Sequence, residues 1–141
     1  MRDFRAYALR LISIRPRSEY ELRKRLKEKG ANIDEIEDII NSFKNAGLLD
    51  DADFACEFAR SKALQHWSWF RIARELKFKF RISGEIVDKA RDCYDETEVI
   101  KYYINKFSAH RKDVEYIKRH LYSKGFSHKF VNRVLEGLEI C

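Results

Sequence analysis

The apolar positions of this chain recur in a pattern that is written three times. Ser18-Glu-Tyr-Glu-Leu-Arg-Lys-Arg-Leu-Lys-Glu-Lys-Gly30, Ser68-Trp-Phe-Arg-Ile-Ala-Arg-Glu-Leu-Lys-Phe-Lys-Phe80 and Asp113-Val-Glu-Tyr-Ile-Lys-Arg-His-Leu-Tyr-Ser-Lys-Gly125 superimpose under shifts of 50 and then 45 residues. Leu22, Ile72 and Ile117 then coincide, as do Leu26, Leu76 and Leu121, so each segment sets an apolar pair at i and i+4 on one helical face. The match runs on through Ile36, Ile86 and Val131, then Ile40, Ala90 and Leu135, then Phe43, Cys93 and Leu138, which predicts a second helix in each unit. A third periodic stretch precedes each pair: Ala6, Leu9 and Ile12; Phe54, Ala55 and Phe58; Ile100, Tyr103, Ile104 and Phe107. The reading is an all-α fold of three tandem three-helix repeats, 1–49, 50–95 and 96–141. None can bury its stripes alone, so they are expected to pack in series as an elongated or curved array.

Local signals agree with that division. Ser18 with Glu21 has the form of a capping box, Ser68 and Asp113 can cap the matching helices, and Gly30 and Gly125 suit the left-handed position beyond a helix end. One proline and five glycines in 141 residues leave few interruptions to helix. With 45% hydrophobic and 37% charged residues, both a core and a solvated exterior are available.

The charge follows the repeat. Residues 15–29, 71–81 and 111–129 each carry a net +4, which leaves the remainder of a +6 chain at −6. Lys24, Arg74 and Arg119 coincide, as do Lys29, Lys79 and Lys124. With Lys27, Arg71, Lys77 and Lys118 they form a candidate contact set for DNA phosphates or acidic protein surfaces. The competing explanation is a solvated helix face whose C-terminal cations complement the helix dipole. His66-Trp67-Ser68-Trp69-Phe70 stands at the entry to the second basic helix, where aromatic rings beside cations can stack on unpaired bases or, more simply, fill a core or staple. Tyr102, Tyr103, Tyr116 and Tyr122 fall on helical spacings and read as inter-helix packing.

Catalytic signatures are missing. The chain has no G-x-x-x-x-G-K-[ST], G-x-G-x-x-G, H-E-x-x-H or G-x-S-x-G, so no enzyme, cofactor or metal is expected. No spacing supports pairing His66, His110, His120 or His128 with Cys56 or Cys93 as a nucleophile, and Asp34, Glu35, Glu37 and Asp38 suit a helix start. Cys56, Cys93 and Cys141, far apart and odd in number, are expected to be reduced thiols. There is no long uncharged apolar run, and Met1-Arg2-Asp3-Phe4-Arg5 lacks the apolar stretch of a secretory signal, so a cytoplasmic location away from the membrane is expected.

Gly47-Leu48-Leu49-Asp50-Asp51, followed by Phe54, Ala55 and Phe58, resembles the signature that opens the second unit of RecX proteins. Ser18 to Leu26 and Arg71-Ile72-x-x-Glu75-Leu76 extend the resemblance over nearly the whole chain, and the threefold repeat belongs to that family too. Asp50 or Asp51 can cap the helix bearing Phe54 and Phe58, and Gly47 can close the one before it, so the signature itself reads as structural. The resemblance implies a monomeric, non-enzymatic regulator in recombination, repair and the SOS response. Its implied partners are the RecA recombinase filament and, weakly and without sequence preference, single-stranded DNA. The alternative is a general helix-turn-helix-like DNA-binding module. Two departures bear on the second repeat: Phe80 stands where the family has glycine after Lys79, and Trp67-Ser68-Trp69 replaces a glycine ahead of Arg71.

Overall fold

A computed structural model describes residues 3–137; Leu138 and Cys141, both named above, lie outside the described residues. Within that range the chain forms nine α-helices and no strand: α1 Phe4–Ile14, α2 Glu19–Glu28, α3 Ile33–Asn45, α4 Asp51–Leu64, α5 Trp69–Arg74, α6 Gly84–Ala90, α7 Glu96–Ala109, α8 Val114–Ser123 and α9 His128–Gly137. A π-helical run, Glu75–Lys79, continues α5, and a 3-10 turn, Arg91–Cys93, follows α6. This is the all-helical threefold pattern anticipated from the sequence. None of the described helices is long and apolar enough to cross a membrane.

The chain divides into two compact units that are discontinuous in sequence. One comprises the described residues through Ala55 together with Leu76–Lys89; the other comprises Cys56–Glu75 and the described residues from Ala90 onward. In the first, Ala8, Leu11, Leu22, Leu26, Ala31, Ile36, Ile39, Ile40, Phe43 and Leu49 pack as one cluster among α1, α2 and α3. Phe54 meets Phe80 edge to face at 5.0 Å in the same unit. In the second, Ile72, Ile100, Tyr103, Ile104, Phe107, Ile117, Leu121, Phe126, Val131, Val134 and Leu135 are buried, and Tyr103 packs edge to face on Phe126 at 5.8 Å.

The turns that follow the first and third middle helices are the same construction. After α2, Gly30 sits at φ +103°, its N–H donates to Lys27 O, and the Ala31 N–H donates to Leu26 O. After α8, Gly125 at φ +92° and Phe126 repeat the pair of bonds to Tyr122 O and Leu121 O. These satisfy helix-end carbonyls that would otherwise lack partners. Asn32 accepts from the Glu35 N–H while the Glu35 carboxylate accepts from the Asn32 N–H, so the next helix starts two residues later. The expected Ser18–Glu21 capping box is present, and Ser68 and Asp113 accept from the N–H groups of Arg71 and Tyr116.

The second repeat departs from this construction, and the reason is Phe80. A residue with a β-carbon is disfavoured at the left-handed position that glycine occupies in its neighbours. The π-helical run adds one residue to the turn, the left-handed position passes to Arg81 at φ +55°, and the closing bond runs from Ile82 N–H to Leu76 O. Phe80 is thereby freed to be buried against Phe54. The insertion changes the register of the following helix: Val87, fully buried, is the counterpart of Ile36 and Val131, and Ile86, the residue selected by the sequence pattern, is half-exposed. Tyr94 takes the place of Phe43, a position assigned above to Cys93.

Cys56 and Cys93 are joined by a disulfide. This corrects the expectation of reduced thiols. A separation of 37 residues carries no signal of proximity, and only the fold brings α4 beside the turn after α6. The bond also removes both residues as partners for any histidine in nucleophilic catalysis.

Leu76 is fully buried at the point where the regular helix gives way to the π-helical run. Leu76→Ala is expected to destabilise the protein by about 2–5 kcal/mol, measured by chemical denaturation, and a change near zero would show that this side chain is not a core residue.

Candidate nucleic-acid interface

The predicted contact residues lie on the middle helices and their C-terminal turns, because the apolar pair occupies the opposite face. In the first unit Lys24 and Lys27 are exposed on α2 and Lys29 is exposed at its C-terminal cap, with Lys29 Nζ 5.1 Å from the Tyr7 ring. Lys77 and Lys79 are exposed on the π-helical run, with Lys79 Nζ 5.4 Å from the Phe80 ring. In the second unit Arg71, Arg74, Arg119 and Lys124 are exposed and Lys118 is half-buried.

Neighbouring cations are used differently. Arg15 pairs with Glu21, Arg23 with Glu37 and Glu19, Lys44 with Glu19, and Arg91 with Glu96. Among the described residues, no carboxylate forms a salt bridge with Lys24, Lys27, Arg71, Arg74, Lys77, Lys79, Lys118, Arg119 or Lys124. Long-range attraction to a polyanion acts on charge that is not already neutralised, so this set is available for phosphate.

The aromatic cluster divides between scaffold and surface. Two residues beyond α4, His66 sits at φ +66°, in the left-handed turn that glycine makes elsewhere. The His66 and Trp67 carbonyls accept from the Tyr103 and Tyr94 hydroxyls at 2.6 and 2.7 Å, and the His66 ring stacks on Tyr102. Those bonds fix the entry to α5; burial pushes the Tyr94 hydroxyl well above the usual phenol range and raises that of Tyr103. Trp69 packs on Tyr94. Arg71 stacks at 3.5 Å from the Trp67 ring centroid, and Lys62, a cation that the sequence reading did not select, lies 4.7 Å from the same ring. Phe70 is 57% exposed beside Arg74, with its backbone side seated on Gly125. Core packing or stapling therefore describes Trp67 and Trp69 but not the Phe70 ring. No periodicity rule separates these neighbours, because the turn geometry decides which ring faces out.

Of the tyrosines named from the sequence, Tyr103 is core, Tyr102 stacks on His66, Tyr116 meets Phe107 edge to face and Tyr122 stacks on His128. The signature residues hold the chain in place. Gly47 at φ +74° ends α3, Leu48 N–H closes that turn on Phe43 O, and Leu49 is buried. Asp50 caps α4 by accepting from the Ala52 and Asp53 N–H groups, and Asp51 accepts from the Glu19 N–H at 2.8 Å, tying α4 to the start of α2. Burial raises the Asp51 carboxyl above its usual range. Phe54 and Ala55 are core, and Phe58 meets Trp67 edge to face. Among the described residues, no group of three or more His, Cys, Asp or Glu side chains is placed to hold a metal ion.

These features define a tandem three-helix repeat protein whose middle helices carry unneutralised positive charge. Comparison with known proteins narrows the class. The profile described as RecX, first three-helix domain, matches residues 5–42, and that described as RecX, second three-helix domain, matches residues 50–90. Regulatory protein RecX of Mannheimia succiniciproducens is 30% identical over 143 residues, covering 95% of this chain and 94% of the relative. That of Caldanaerobacter subterraneus subsp. tengcongensis is 26% identical over 138 residues, covering 95% and 70%. The crystal structure of RecX from Lactobacillus salivarius shares the fold, with a TM-score of 0.82 at 22% identity over 98% of this chain and 96% of that one. The chain belongs to the RecX family.

Two outcomes test this geometry. Gly47→Ala meets open space and incurs only left-handed strain, about 1–2 kcal/mol, whereas a β-carbon on Gly125 would stand 3.0 Å from Phe70 Cβ. Gly125→Ala is therefore expected to lower the melting temperature further than Gly47→Ala. His120, edge to face with Phe107, is held below the usual imidazole range by burial first and by Lys124 and Lys106 second. The unfolded chain then takes up the proton first, so stability falls as pH drops through the ordinary imidazole pKa near 6.5. His120→Gln should flatten that part of a thermal-stability curve measured against pH.

Proposed function

We propose that this chain binds the single-stranded-DNA filament of a RecA-type recombinase and restrains both strand exchange and the linked ATP hydrolysis. It catalyses no reaction itself and acts as a cytoplasmic monomer of three repeats, 1–49, 50–95 and 96–141. Membership of a family whose relatives are named regulatory proteins supports the regulatory part. The observation that carries the contact assignment is the repeated basic middle helix, on which Lys24, Arg74 and Arg119 are exposed and, among the described residues, form no salt bridge. A partner that repeats along its length, with phosphates at regular spacing, matches a chain that repeats its basic helix.

The test is single-stranded-DNA-dependent ATP hydrolysis by the cognate recombinase with this protein titrated in. Inhibition is expected well below the amount needed to coat the DNA. Reversing charge at Lys24, Arg74 and Arg119 together should abolish inhibition, leave circular dichroism unchanged and lower the log–log salt slope of DNA binding by about 2, at roughly 0.7 per phosphate contact. Inhibition retained by the triple variant would overturn the contact assignment. Intact DNA binding without inhibition, with one duplex preferred over random DNA by about a thousandfold, would favour the helix-turn-helix reading.

A further inference from the structure

We propose that the Cys56–Cys93 bond is a thiol–disulfide switch that clasps the second repeat's basic helix, a form of regulation that rests on the contact role just proposed for that helix. The bond closes a loop across 37 positions of sequence. Inside that loop lie the second half of α4, all of α5, the π-helical run and α6, and with them Arg71, Arg74, Lys77 and Lys79. The other six contact residues, on α2, on α8 and at their C-terminal turns, lie outside it. One redox event therefore addresses one of the three basic helices.

The enclosed stretch is the one most dependent on such a clasp. α5 has only 6 residues before the helix widens, and the turn beyond it places Arg81, not glycine, at positive φ. Short elements with strained ends open at lower free energy than long packed helices, and a cross-link removes open conformations from the ensemble. At both sulfurs, moreover, the backbone has just passed from the first compact unit to the second, at Cys56 directly and at Cys93 three residues after Ala90. The bond thus joins two points of the second unit that flank, in sequence, the stretch bearing these four cations.

The chemistry is accessible and balanced. Both cysteines are partly exposed, and Cys93 lines two surface clefts, one with His66 and Tyr102, the other with Asp92 and Phe130. A dithiol reductant attacks one sulfur as its thiolate, forming a mixed disulfide and releasing the other cysteine; its second thiol then displaces the remaining cysteine. Two electrons and two protons pass to the protein, and the reductant leaves as its own disulfide. Oxidised glutathione runs the reverse exchange and leaves as two thiols.

The experiment uses the full chain carrying Cys141→Ser, so that only the two bonded cysteines remain. After equilibration with oxidised glutathione, alkylation under denaturing conditions should label neither cysteine, and after dithiothreitol it should label both; two labelled thiols in the oxidised sample would overturn the proposal. Hydrogen exchange on the same samples should show the amides of Trp69–Lys79 and Gly84–Ala90 exchanging about tenfold faster once reduced, with Val114–Ser123 unchanged. Equal exchange in the two states would sink the clasp. Adding Cys56→Ser should reproduce the reduced pattern and remove the response to dithiothreitol, and a variant that still responded would also overturn it. Exchange is read without recombinase or DNA, so failure of the switch and failure of the filament reading are separable.

Discussion

Each repeat depends on burying an i, i+4 pair from its middle helix. Leu22 with Leu26, Ile72 with Leu76 and Ile117 with Leu121 are all fully buried, and nothing else among the described residues is so uniform from one repeat to the next. A ten-residue amphipathic helix is marginal by itself, so this burial is what makes the helix a helix. With the pair pinned inward, the cations between and beyond it are forced outward. The same constraint sets the turn: the chain must reverse within a few residues for the next helix to cover the pair, and a left-handed residue after the helix achieves this.

That dependence explains what could be read from the sequence. The i, i+4 pairs, the caps at Ser18, Ser68 and Asp113, and the left-handed Gly30 and Gly125 are local, and local rules found them. The roles of Gly47 and Asp50 in closing α3 and opening α4 were legible for the same reason. The register of α6 was not, because a one-residue insertion hidden in a π-helical run leaves apolar residues at both Ile86 and Val87, and periodicity alone cannot choose between them. The disulfide was illegible because it is a property of distance in space. The basic contact residues were found as a set, but which neighbouring cations are engaged was not fully legible: Arg23 and Lys24 are adjacent in sequence, and the fold adds Glu37 to the Glu19 that already lies one turn from Arg23.

Turn chemistry also orders the aromatic residues. His66 and Arg111 occupy left-handed turns that Gly30, Gly47 and Gly125 occupy without strain, and both end helices at the approach to a basic middle helix. At His66 the strain is offset by two tyrosine hydroxyls on adjacent carbonyls and by stacking on Tyr102. The same contacts that hold the turn leave Phe70 exposed beside Arg74. Scaffold and surface are therefore set by one short stretch, from His66 to Arg74.

The two compact units are out of phase with the repeats that encode them. The unit containing α1, α2 and α3 also takes in Leu76–Lys89, which follow Ala55 by as many as 34 residues. During synthesis the ribosome must deliver that stretch before this unit has all its parts, a wait of about 2–7 s at roughly 5–20 residues per second. In the interval Phe54 lacks its Phe80 partner, and α4 has emerged without the turn that will bond to Cys56. A threefold repeat that looks modular on paper thus has a first unit that gains its last stretch, Leu76–Lys89, only when most of the second repeat has been made.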